Sequence, residues 1–243
     1  MISAIVLMSL LFGVPIAFAE TDPILITKSA GLDKIVFDGK WTTSLEWKPT
    51  SWNELKYNQT MIHLRTAHQG DFIYVMIDAV DDVTISNDDR TVVCFDGKNN
   101  KGILADYDDY CFVASPNSDA VTYQGTMNTE QFKIIPNPDG FIGIGAQSDR
   151  NDRYSPISHV GYEFRIPIEL FGRSDNYGFF VSVYDSDVQK FYSWPDQLNQ
   201  DFHKISPSNW GNIVSPDKTM PEFSLPTIIL LVSLGGIVFF YKK

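Results

Sequence analysis

Apolar and polar side chains alternate along much of this chain, and no long helical period interrupts them. In residues 72–80, Phe72, Tyr74, Met76 and Asp78 fall on one side and Ile73, Val75 and Ile77 on the other. Apolar residues on both sides predict a strand inside a two-layer structure. Residues 162–172, "YEFRIPIELFG", begin with the same alternation. Pro167 then ends the pairing and Gly172 closes a short turn. A second strand follows at 177–184 and finishes in the acidic corner Asp185-Ser186-Asp187. Further short apolar runs lie at 61–66, 92–95, 111–114 and 209–214, and at 120–123, 132–135 and 141–146, the last three bounded by Asn, Asp, Pro or Gly. A first edge strand is expected within 21–32, and a strand at 35–37 entering a tight Asp38-Gly39 turn. Residues 48–60, with Pro49 and Asn53, read as a loop or short helix. Many short strands with turn signals predict an all-β antiparallel sandwich, jelly-roll or immunoglobulin-like, over residues 20–214.

The two ends break this pattern. Residues 1–19 are almost uninterruptedly apolar and finish Ala17-Phe18-Ala19, the shape of a signal peptide, although the leading positive charge is missing. Residues 225–241 are apolar and uncharged, which is the short limit for a membrane-spanning helix. Lys242-Lys243 follow as a basic cytoplasmic tail, which places the sandwich outside the cell by the positive-inside rule. Residues 215–224, with Pro216 and Pro221, form the linker.

Composition narrows the function. The chain has 243 residues, 44% of them hydrophobic, enough for a real core. Its formal charge of -11, with no cluster of Lys or Arg, argues against nucleic acid as a partner. Two cysteines fit an exported protein. Cys94 and Cys111 lie in consecutive apolar runs, so a hairpin would set them near opposite positions and favour a disulfide, with buried free thiols as the alternative. Asn58-Gln59-Thr60 meets the pattern for N-glycosylation at Asn58.

The pattern "YEFRIPIELFG … YGFFVSVYDSD", with Phe37-Asp38-Gly39 upstream, resembles the family 9 carbohydrate-binding modules and their DOMON-like β-sandwich relatives. That resemblance implies a non-catalytic domain that binds a glycan or polysaccharide, calcium as a cofactor, and tryptophans that clamp a sugar end. DOMON-like relatives imply an alternative, b-type haem held by methionine with lysine or histidine, for which Met61 and Met76 are available. A third reading is a structural envelope protein. Pro221-Glu222-Phe223 ahead of an apolar span and a basic tail resembles an archaeal sorting signal, which implies a processed lipid anchor in place of a retained helix.

Among the five tryptophans, Trp52 in a polar stretch and Trp194 in Tyr192-Ser193-Trp194-Pro195 are expected at the surface. Trp52, Trp194 and Tyr192 are therefore the candidate ligand-binding residues, stacking on pyranose C–H faces. Trp47 and Trp210 flank apolar segments and are expected in the core. Asp96, Asn99, Asp106 and Asp108 supply oxygens along a glycine-containing loop, as a hard cation such as Ca2+ requires, or else form a solvated hairpin end. The four histidines show no His-x-His or His-Glu-x-x-His spacing, so no zinc motif is read among them. No Gly-x-Ser-x-Gly or phosphate loop is present, and no catalytic residue is assigned.

Overall fold

The computed structural model describes residues 21–58, 60–196 and 198–217. The expected signal peptide, the Pro221-Glu222-Phe223 motif, the apolar span 225–241 and the basic tail lie outside the described residues. Among the described residues no helix is long and apolar enough to cross a membrane.

Among the described residues fourteen strands form two layers. They are β1 (Ile24–Leu25), β2 (Thr27–Lys28), β3 (Ser51–Tyr57), β4 (Thr60–Gln69), β5 (Phe72–Ala79), β6 (Arg90–Asp96), β7 (Asp109–Ser115), β8 (Ser118–Gly125), β9 (Phe132–Ile135), β10 (Ile142–Gln147), β11 (Val160–Pro167), β12 (Asn176–Asp185), β13 (Lys190–Trp194) and β14 (Gly211–Val214). The first sheet runs β1-β14-β12-β6-β7-β8-β9, and β13 shares the β14 side of β12. The second runs β10-β11-β5-β4-β2, with β3 also paired to β4.

The sheets are mixed, not purely antiparallel as expected. β1 pairs parallel with β14, and β2 parallel with β4. The physical reason is that 24–28 crosses from one sheet to the other, adding two residues to each. Two strands escaped the sequence reading. β3 follows Pro49, yet it alternates exposed Trp52, Glu54 and Lys56 with buried Leu55 and Tyr57 as an outer strand does. β13 follows a four-residue turn after β12 and is short. Conversely, 35–37 is not a strand. It crosses the outer face of the second sheet and buries Ile35 there with Leu32, Trp41 and Trp47.

The alternation along β11 decides which face is which. Tyr162, Phe164 and Ile166 of β11 point inward against Val93, Phe95, Phe112, Phe179 and Val181 of the facing sheet. Each fully buried side chain of this size contributes about 1.5–3 kcal/mol. On the outside of the first sheet, Cys94 and Cys111 are directly opposite each other in the β6–β7 register and are joined by a disulfide. Phe132, Phe180, Phe202 and Trp210 pack in the same outer cluster, so the bond is fully buried.

Candidate functional site

The outer face of the second sheet carries the exposed tryptophan. Trp52 is 51% exposed, whereas Trp41, Trp47, Trp194 and Trp210 are all buried. Strand period two places Trp52 on β3 beside His63 and Arg65 of β4, because Leu64 and Ile62 take the inward positions. The Trp52 indole N–H donates to His63 Nδ1 at 3.1 Å. Its ring lies nearly parallel to Tyr154, at 6.2 Å and 26°, and Tyr154 in turn stacks on His63 at 3.8 Å and 18°.

Arg65 holds this platform together from beneath. Its guanidinium lies 4.9 Å from the Trp41 ring, 5.8 Å from Trp52 and 5.7 Å from Tyr154. Its Nε donates to the Tyr154 hydroxyl, and Nη1 donates to the carbonyl oxygens of Trp47 and Thr50 at 3.2 and 3.3 Å. A buried guanidinium with several acceptors and three aromatic faces is well compensated. Burial lowers the His63 pKa, which keeps the ring neutral at pH 7 and able to accept the indole hydrogen at Nδ1.

From Trp52 the exposed row of β3 continues through Glu54 to Lys56, which form an ion pair at 2.9 Å. Alternate strand residues are about 7 Å apart. The row ends at a cleft of about 210 Å³ bordered by Lys56, Asn58, Lys190, Tyr192, Asp196 and Asn199. Tyr192 packs on Tyr57 at 5.5 Å, and the Lys190 ammonium sits 4.7 Å over its ring.

The expected site residues therefore divide. Trp52 is at the surface as expected. Tyr192 borders the cleft but is only 8% exposed, so it offers an edge and not an open face. Trp194 is a correction. Period two on β13 turns it inward with Tyr192, where it packs on Phe179 and fills the space that a Cβ at Gly211 would occupy. Trp47 and Trp210 are core, as read. Asn58 lies exposed in the turn between β3 and β4, at the cleft itself. Tyr154 and Arg65 were not singled out in the sequence. Arg65 sits two residues from His63 on an alternating strand, which was a usable signal, but Tyr154 lies in a loop whose position only the fold sets.

The loop between β6 and β7 brings some of the expected cation ligands together. Asp96 and Asp108 each present an oxygen within 4.8 Å of the other, and Asp109 joins them. Asp106 instead accepts from Asp108 N at 3.0 Å and from Asn100 Nδ2 at 2.9 Å, so it braces the loop. Asn99 donates to Asn212 at 3.1 Å while its own carbonyl oxygen is buried without a hydrogen-bond partner. Asp108 is paired with Lys98 at 2.6 Å. Burial pushes the Asp109 carboxyl up to about 8. A second acidic group, Asp82, Asp89 and Asp185, lies near the β12–β13 turn, with Asp89 accepting from Ser186 N and Oγ. Met76 is fully buried in the cluster with Trp47, and core packing accounts for it.

No protein-family model and no curated protein matches the chain. Solved structures do match it. One is a carbohydrate binding module family 9 (CBM9) from Caldicellulosiruptor kristjanssonii in complex with cellotriose, with a TM-score of 0.53 and 15% identity over 83% of this chain and 99% of that one. Another is the module from that organism in complex with glucose, with a TM-score of 0.54 and 16% identity over 84% and 100% of the two chains. The fold is thus that of the family 9 modules, as the resemblance implied.

Proposed function

We propose that this protein is a non-catalytic carbohydrate-binding protein of the cell surface, which holds a glycan or polysaccharide along β3. The observation that carries the reading is Trp52, an indole more than half exposed on a rigid strand and backed by Tyr154, His63 and Arg65. An exposed tryptophan fixed in this way presents a π face at little entropic cost. Glu54 and Lys56 supply hydrogen-bonding groups at the next positions of the row, and the cleft at Tyr192 is the size of a sugar ring. The fold supports the reading, since the similar modules are described in complex with cellotriose and glucose.

Titration calorimetry of the full chain with glucose, cellotriose and a soluble β-glucan tests this. Trp52→Ala is expected to weaken binding about 10-fold, the equivalent of ~1.4 kcal/mol. Equal binding by the variant would remove the site from β3, and a stoichiometric Soret band in the purified protein would favour b-type haem instead.

Two further parts of the reading are proposals of the same kind. The signal peptide at 1–19, with the span at 225–241 or a lipid anchor after Pro221-Glu222-Phe223, exports the domain and tethers it outside. The Cys94–Cys111 disulfide supports an exported location. Mass spectrometry of the mature chain from its own membrane distinguishes a retained helix from a processed one. Calcium at Asp96, Asp108 and Asp109 is favoured by the unpartnered, buried oxygens Asn99 Oδ1 and Asp109 Oδ1. A Tm that rises with Ca2+ and no longer does so in Asp96→Asn is the expected result.

A further inference from the structure

Beneath the Trp52 platform lies a group of side chains that saccharide binding does not use. Asp78 stands on the outward side of β5, opposite His63 of β4 and Gly161 of β11. His159 precedes β11, and Asp152 sits in the loop that also carries Tyr154. The three side chains are 1%, 0% and 2% exposed. One ligand atom from each lies within 4.8 Å of the other two.

The imidazole is aimed by contacts on its far side. His159 Nδ1 is 2.7 Å from the Ile157 carbonyl, which can only accept, so Nδ1 carries the hydrogen. Ser148 Oγ lies 3.0 Å from the same nitrogen and also accepts from the His159 backbone N–H. Nε2 therefore faces the carboxylates, in close contact with Asp78 Oδ1 and 3.7 Å from Asp152 Oδ1. A second-shell carbonyl that fixes the tautomer is what histidine metal ligands show.

The polar atoms at the centre have no other partners. Asp78 Oδ2 and Asp152 Oδ2 are buried and make no hydrogen bond, and the one close neighbour of His159 Nε2 is Asp78 Oδ1. Asp152 Oδ1, by contrast, accepts from Tyr154 N at 2.8 Å and so fixes the loop. An Asp78–His159 ion pair alone accounts for one carboxylate only. Two carboxylates facing one imidazole leave at least one negative charge without a direct ionic partner out of water, since the nearby Arg65 guanidinium is taken up by the Tyr154 hydroxyl and two carbonyl oxygens. A divalent cation cancels it.

We propose that Asp78, Asp152 and His159 bind one divalent transition-metal ion of the Zn2+ type. An imidazole nitrogen with two carboxylate oxygens suits Zn2+ or Co2+, while Ca2+ needs six to eight oxygens, which a closed site of three side chains does not offer. The bound ion pins the 149–159 loop to β5, and with it the Tyr154 ring against which Trp52 stacks. The proposal is independent of the saccharide reading, because its readout is metal uptake.

The test uses the full chain, stripped with a chelator and titrated with Co2+. One equivalent is expected to bind with the intense visible band of low-coordinate Co2+, displaced by Zn2+ and untouched by excess Ca2+. His159→Gln should abolish the band, and Ser148→Ala should weaken binding ~10-fold through loss of ring orientation. His203→Gln, on the surface beside Asp201, should leave it intact. Should His159→Gln fail to fold by circular dichroism, Asp152→Asn on the loop takes its place. Absence of stoichiometric uptake by the folded wild type, or a full band in a folded ligand variant, overturns the proposal.

Discussion

Glu163 shows how much one side chain can organise. It is fully buried, and its carboxyl accepts from Asp38 N at 2.9 Å, Gly39 N at 2.8 Å and the Trp47 indole at 2.7 Å. It thereby fastens the 36–47 segment across the outer face of β11. Gly39 has φ 82, and a Cβ there would meet Ala146 N at 2.5 Å, so the turn cannot take another residue without shifting. Burial pushes the Glu163 carboxyl up to about 8, and the three donors oppose that shift. The folded state therefore binds the proton more tightly than the unfolded chain. Its stabilisation is complete below the ordinary carboxyl value and is lost as pH rises through about 8. Thermal melts are expected to show Tm falling between pH 5 and pH 8.5, with a shallower fall in Glu163→Gln. A slope unchanged by that substitution would contradict the assignment. Arg65→Ala makes a separate test at this scale. It leaves the Tyr154 hydroxyl and two carbonyls without their donor, and should destabilise the fold by ~3 kcal/mol in urea titrations.

Between elements, the β6–β7 hairpin is closed by the disulfide. Cys94 and Cys111 are 17 residues apart in sequence and opposite in register. The double variant Cys94→Ala/Cys111→Ala should lose ~3 kcal/mol in chemical denaturation, since the unfolded chain regains its loop entropy. A loss under ~1 kcal/mol would mean that the outer cluster of Phe132, Phe180 and Trp210 holds the hairpin without the bond. At this scale the sequence was a fair guide. Alternation located β5, β11 and β12, and the paired apolar runs located the cysteines. Alternation also existed in β3, but Pro49 and Asn53 obscured it, because turn formers at a strand's entrance resemble those inside a loop. The side of β13 that faces inward was not legible. Trp194 and Ser193 alternate whichever way the strand is turned, and only packing against Phe179 decides.

In the whole molecule, the sandwich is held by two inner faces meeting, and each outer face is then partly covered by irregular chain. Phe164→Ala at the centre of the inner core should cost ~4 kcal/mol and lower Tm without altering the Trp52 platform, as near-ultraviolet circular dichroism below Tm would record. What the sequence alone determined is local: the all-β class, the strands with clear period two, and the hairpin that brings the cysteines together. These depend on neighbours one or two residues away, which a linear pattern records directly. Only the tertiary structure decided between Trp52 and Trp194 as the tryptophan that reaches solvent, and which residues support it. It alone brought Asp78, Asp152 and His159 to a common point, since no spacing rule connects residues on a strand, a loop and a second strand's approach. Such meetings depend on sheet register and on how a loop crosses a face, and these are set by the energy of the whole packed molecule.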